Sequence, residues 1–153
     1  MREETYVAFL LPMRLFTGWL FVTDALGKLT TGWILQNRLQ STLEQWIREG
    51  KPYEFFLPFL HKTVLPNASL FGWAIGAGEL LIGAALMVGL FSRISALFGL
   101  ALVVGYLLAH GDAVGPNSSV LLAVILFTFV LASPGRVLGL DAMLRGKIPR
   151  FLR

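Results

Sequence analysis

"GAGELLIGAALMVGL", residues 76–90, consists almost wholly of small and apolar side chains, yet it carries a carboxylate at Glu79. With its apolar flanks the run is long enough to cross a bilayer, because a hydrocarbon core of ~30 Å takes about 20 helical residues. A charge near the centre of such a helix costs about 2.5–3.5 kcal/mol on insertion scales, so it faces inward and finds a partner. Glu79 stands eleven residues into its span, with no escape to the surface. Gly72, Gly76 and Gly83, at offsets of −7, −3 and +4, share its face. Small residues at that spacing let a second helix come close, so the acid points into a helix–helix contact.

The whole chain has the same character. Of its 153 residues, 56% are hydrophobic and 14% charged, and the mean hydropathy is +0.70; a soluble domain has roughly a quarter of its residues charged. Four apolar segments, at roughly 6–29, 69–91, 93–111 and 117–135, define an all-α integral membrane four-helix bundle as a single membrane domain. The first contains Pro12, Arg14 and Asp24 and lacks a small-x-small cleavage site, so it is expected to stay attached as a helix. "LPNASLFGW" (65–73) and "GPNSSVLLA" (115–123) both place Pro-Asn-x-Ser before an apolar run and read as helix N-termini. Arg14 and Arg93, near the starts of spans one and three, hint at a duplicated helical hairpin.

Residues 30–68, between spans one and two, are too many for a turn. Trp33, Leu39, Leu43 and Trp46 fall at helical spacing opposite Gln36, Arg38, Gln40 and Glu44, Gly50 offers a stop, and Pro58 breaks an aromatic second half. A Trp-bearing amphipathic helix beside a span lies in the headgroup plane, so the insert is expected to be an interfacial, extracytoplasmic cap. Eight Lys and Arg fall on the side of the termini and the 91–93 turn, five on the other, and the tail 136–153 is basic. That asymmetry places both termini in the cytoplasm. The basic residues flank apolar segments and form no interleaved patch, which argues against nucleic acid despite a net charge of +4. Cysteine is absent, so thiol relays and Cys-ligated metal are excluded within the chain.

Two polar groupings fall inside the spans. On the first helix Arg14, Gly18, Phe21, Ala25 and Lys28 form one stripe. At ~1.5 Å per residue Arg14 lies about 12 Å, and Glu79 about 18 Å, from the inner ends of their spans, which makes Arg14 the expected partner of Glu79. Lys28, about 13–14 Å higher by the same rise, is expected to pair with Asp24 along the helix. An Arg14–Glu79 pair either fixes helix register or contributes to a proton path or ligand pocket. In "GYLLAHGD" (105–112), Tyr106 and His110 share a face with Asp112 just beyond, a set that could hold a quinone head group and exchange its protons. Interfacial anchoring is the plainer reading of the same residues. No metal-ligand spacing is present, and the second histidine, His61, lies in the insert, so neither metal nor haem is expected.

"RLFTGWLFVTDALGKL" (14–29), "GELLIGAALMVGLFSRISAL" (78–97) and "SPGRVLGLDAML" (133–144) together resemble the DoxX family of four-span membrane proteins. The resemblance implies the cell membrane of a prokaryote and association with oxidoreductase systems, some members being similar to the membrane subunit of thiosulfate:quinone oxidoreductase. By position, the family's polar signature falls on Arg14, Lys28, Glu79 and Arg93. The expected function is a membrane-embedded oxidoreductase subunit surrounded by lipid and by other subunits or copies of itself. It would hold quinone, with the redox centre on a partner, and Lys28 and Arg38 would attract an anionic donor. A non-catalytic scaffold and a small transporter are the alternatives.

Overall fold

The structure, a computed structural model, describes residues 9–33, 35–111, 118–132, 134 and 139–143. Its described elements are helical: α1 (Leu11–Thr30), α2 (Arg38–Arg48), α3 (the continuous helix Leu57–Val88), α4 (Ser92–His110), α5 (Ser118–Ala132) and the short α6 (Leu140–Met143).

α1 carries Pro12 in its first turn, which its fixed φ suits, and ends where the Thr30 and Thr31 hydroxyls donate back to the carbonyls of Leu26 and Gly27. Its buried face is Arg14, Thr17, Gly18, Phe21 and Ala25. α2 follows Asn37 and stops at Gly50, whose φ of +66° lets the chain turn back. Leu39 and Leu43 of α2 are buried against Leu60, Val64 and Ala109, so the insert packs on the ends of α3 and α4.

α3 begins earlier than the sequence suggests. The expected helix start at Pro66-Asn67 is not a start: the helix runs back to Leu57 through a wide π turn at Leu60–Val64 and a tight 3₁₀ turn at Leu65–Asn67. Asn67 caps nothing, and its Nδ2 donates instead to the Thr63 carbonyl. A proline inside a regular helix loses one hydrogen bond and clashes with the carbonyl four residues back, and the change of pitch around Pro66 relieves both. Pro58, expected to break the insert, lies in the first turn of this helix.

Asp141 completes the N-terminus of α4, its carboxylate accepting from the Phe91 amide at 2.7 Å and the Ser92 amide at 3.0 Å. α1 packs along α3 and α4 along α5. Phe21, Ile82, Leu86, Ala96, Val103, Leu126 and Phe129 fill the space where the pairs meet. Gly99 of α4 makes that convergence possible, since a Cβ there would meet Ile82, Leu126 and Phe21 at 3.3–3.4 Å.

Charged side chains lie among the buried residues, and many large apolar ones lie outside. Arg14, Glu79 and Asp141 are buried, while Phe16, Trp19, Leu81, Phe98, Leu121 and Phe127 are exposed on the outer faces of α1, α3, α4 and α5. Among the described residues two helices are long and apolar enough to cross a membrane: Leu57–Val88, with a mean hydropathy of 1.7, and Ser92–His110, at 1.8. Only 33% of either apolar stretch is buried, which is the reverse of a core helix in a soluble protein. Ser119–Ala132 is a shorter apolar helix.

Candidate functional site

The register of α1 against α3 positions the polar side chains. Gly18 and Gly83 touch, so residues above Gly18 on α1 face residues before Gly83 on α3, and Glu79 lies level with the Val22–Ala25 turn. Lys28, one turn further on, reaches back to it. Lys28 Nζ lies 2.6 Å from both Glu79 oxygens, 2.9 Å from Asp24 Oδ2 and 3.1 Å from the Tyr106 hydroxyl. These three partners use the three N–H groups of the ammonium. The Tyr106 hydroxyl accepts from Lys28 and donates to Glu79 Oε1 at 3.4 Å, which closes a ring of three side chains from three helices. The Lys28 ammonium also lies over the Trp33 ring, 5.7 Å from its centroid.

The expected Glu79–Arg14 pair is therefore replaced by Glu79–Lys28. Depth counted from the ends of two apolar runs assumed that those ends are level, whereas the glycine contact sets the register. It lowers Arg14 to the α3–α4 turn, where a Cβ on Gly89 would lie 2.7 Å from Arg14 Nη1. Gly89 is ten residues from Glu79, about 15 Å along the helix. Arg14 Nη1 instead donates to the Pro134 carbonyl at 3.1 Å, with Asp141 as its electrostatic partner.

The Asp24–Lys28 and Tyr106–His110 groups, separate in the sequence, line one cavity of ≈ 860 Å³. α1 contributes Asp24 and Lys28, α3 Glu79, α4 Tyr106 and His110, and α5 Ser119, while Trp33, Thr42 and Trp46 come from the insert. Leu20, Phe21, Leu102, Val103, Leu107 and Leu122 form apolar walls. The His110 ring meets Trp46 edge-on, with centroids 4.9 Å apart. Glu79 is 3% exposed and Asp24 64%, so Lys28 joins a sealed carboxylate to an open one.

Asp112 lies outside the described residues. Arg93 stands in the first turn of α4, at the opposite end from Tyr106 and about 20 Å along the axis. Of the two cations expected to attract an anion, Lys28 is already matched by carboxylates, while Arg38 is exposed on the insert. Arg38 Nε donates to Gln36 Oε1. Trp33, Trp46 and Asp141 carry no site role in the sequence pattern. The last was visible in the Leu-Asp tail of residues 133–144, whereas the tryptophans read only as interfacial residues.

The described elements are all helical, with apolar outer faces and Arg14, Glu79 and Asp141 buried within, the character of a membrane protein. The DoxX family model matches residues 9–133, and the chain belongs to the DoxX family. No match was found among curated proteins or among solved structures.

Proposed function

We propose that the chain is a four-span bundle capped by an interfacial insert, with both termini in the cytoplasm of a prokaryotic cell, acting as the quinone-holding membrane subunit of an oxidoreductase system. The reading rests on one observation: a cavity of ≈ 860 Å³ joins apolar walls to a set of hydrogen-bonding side chains, Lys28, Glu79, Tyr106 and His110. Ligand sites have this character, mostly apolar with a few convergent polar groups. A quinone head group has two carbonyl oxygens, and at the cavity wall the Lys28 ammonium or the Tyr106 hydroxyl would reach one by exchanging a hydrogen bond it now makes to Asp24 or Glu79. When bound, a quinone supplies two-electron, two-proton chemistry at those oxygens. Within the chain, Glu79 Oε1 accepts a hydrogen bond from the Tyr106 hydroxyl and the Lys28 ammonium balances the carboxylate's charge. Asp24, open to the cavity, links the ring to its surroundings. Because the chain has no cysteine, a thiol relay belongs on the partner protein.

The test is purification in mild detergent followed by extraction and mass spectrometry of bound lipid. Near-stoichiometric quinone is expected in the parent protein, with loss in Tyr106→Phe combined with His110→Ala. Quinone-free protein from a quinone-replete membrane would overturn the reading. A scaffold role is the second reading, supported by the saturation of all three Lys28 donors within the protein. It predicts that Glu79→Gln lowers assembly and leaves turnover of the assembled complex unchanged.

A further inference from the structure

A second cavity, ≈ 970 Å³, lies between α3 and α4 beneath α2. Its walls are two facing helical stripes that include the small residues Gly78 and Ala85 on α3 and Ala101 and Gly105 on α4. Small residues on facing helices ordinarily let the backbones close together. On this face the helices leave open space: a Cβ on Gly105 would meet nothing within 4 Å, and one on Gly78 would meet only the tip of Leu102 at 3.9 Å. From Ile94 to Ala109 the slot extends about 22 Å along α4, most of a ~30 Å hydrocarbon core. Leu81 and Phe98 on its walls are largely exposed, so it opens sideways to the apolar surroundings. A long and almost wholly apolar slot suits a linear hydrocarbon better than a compact ligand.

The slot and the polar cavity share a wall. Trp46, Leu102 and Tyr106 line both, and the hydroxyl of Tyr106 belongs to the Lys28–Glu79 ring. We infer that the α3–α4 slot takes the isoprenoid tail of the same quinone whose head group lies at Lys28 and Tyr106, an assignment that rests on the quinone reading above. A tail bound there would guide the head group in from the bilayer and would make the chain selective for tailed quinones.

Gly105→Leu tests this directly. It fills open space and replaces a poor helix former by a good one, so the fold is retained. The full chain, carrying Trp19→Phe and Trp73→Phe so that emission comes from Trp33 and Trp46, is placed in phosphatidylcholine nanodiscs. It is titrated with 2,3-dimethoxy-5-methyl-1,4-benzoquinone and with the decyl-substituted analogue, both followed by quenching. In Gly105→Leu, affinity for the decyl quinone is expected to fall about tenfold, while that for the tail-less quinone stays within about twofold. Gly78→Leu, on the opposite wall, is expected to repeat the pattern. Unchanged decyl affinity in both variants would mean that bilayer acyl chains occupy the slot, and an equal loss of both quinones would mean that it serves only the head-group site; either overturns the assignment. If neither quinone binds the parent protein, the quinone reading falls and the tail assignment falls with it.

Discussion

Gly83 meets Gly18 backbone to backbone: a Cβ on Gly83 would lie 2.7 Å from the Gly18 carbonyl oxygen and 2.9 Å from the Val22 amide nitrogen. Neither neighbour is the flexible end of a side chain, so α1 and α3 would have to separate to admit a methyl group. Gly83→Ala is expected to lower stability by about 1–3 kcal/mol, whereas Gly105→Ala, with open space around it, is expected to gain about 0.5–1 kcal/mol from helix propensity. Thermal unfolding in one detergent compares the two. Equal effects would mean that the α1–α3 contact does not set the register.

The Lys28–Glu79 pair is expected to show strong coupling. Lys28→Met leaves a carboxylate that is 3% exposed without its cation, and breaking a buried pair costs about 3–5 kcal/mol. The double variant Lys28→Met, Glu79→Leu is expected to recover most of that loss, because no charge is then left buried. A double-mutant cycle should give a coupling of about 2 kcal/mol or more, while Arg14→Met and Glu79→Leu, far apart, should add within about 0.5 kcal/mol. Coupling in the Arg14 cycle alone would restore the pairing first expected from the sequence.

Asp141→Asn removes the anionic acceptor from the first amides of α4. Loss of a helix cap of this kind is expected to cost about 1–2 kcal/mol. Hydrogen exchange should quicken at Phe91 and Ser92 before it does at mid-helix amides such as Val103. Unchanged exchange at both positions would show that Asp141 does not cap the helix.

Orientation can be read with single cysteines, since the chain has none of its own. Glu54→Cys, in the exposed part of the insert, is expected to react with a membrane-impermeant maleimide in intact cells. Arg93→Cys, at the other end of α4, is expected to react only after permeabilisation. The reversed pattern would invert the proposed topology.

Composition and periodicity made the helical membrane character legible, because a chain so poor in charge cannot hide its apolar surface from water. The inward face of α1 was legible too: Arg14, Gly18, Phe21 and Ala25 are buried as their spacing requires. What could not be read was relative height. Two helices with several small residues can slide by a turn and keep the same faces together. Only the Gly18–Gly83 contact chooses Lys28 over Arg14 for Glu79. The π turn at Leu60–Val64 was hidden for a similar reason, since Pro-Asn-x-Ser has the composition of a helix start and only the pitch before it shows continuation. The union of Lys28 with Tyr106 depends on helices 78 residues apart in sequence, a separation that no local pattern encodes.

The carboxylate that finishes the start of α4 is made some 50 residues after the amides it binds. Arg14, among the earliest residues of the first helix, likewise waits for the Pro134 carbonyl and for Asp141. The order of translation therefore supplies Arg14 and the α4 amides first and the carboxylate they share last. The last translated of these residues acts as a latch, because a chain ending before residue 141 lacks the acceptor of the Phe91 and Ser92 amides.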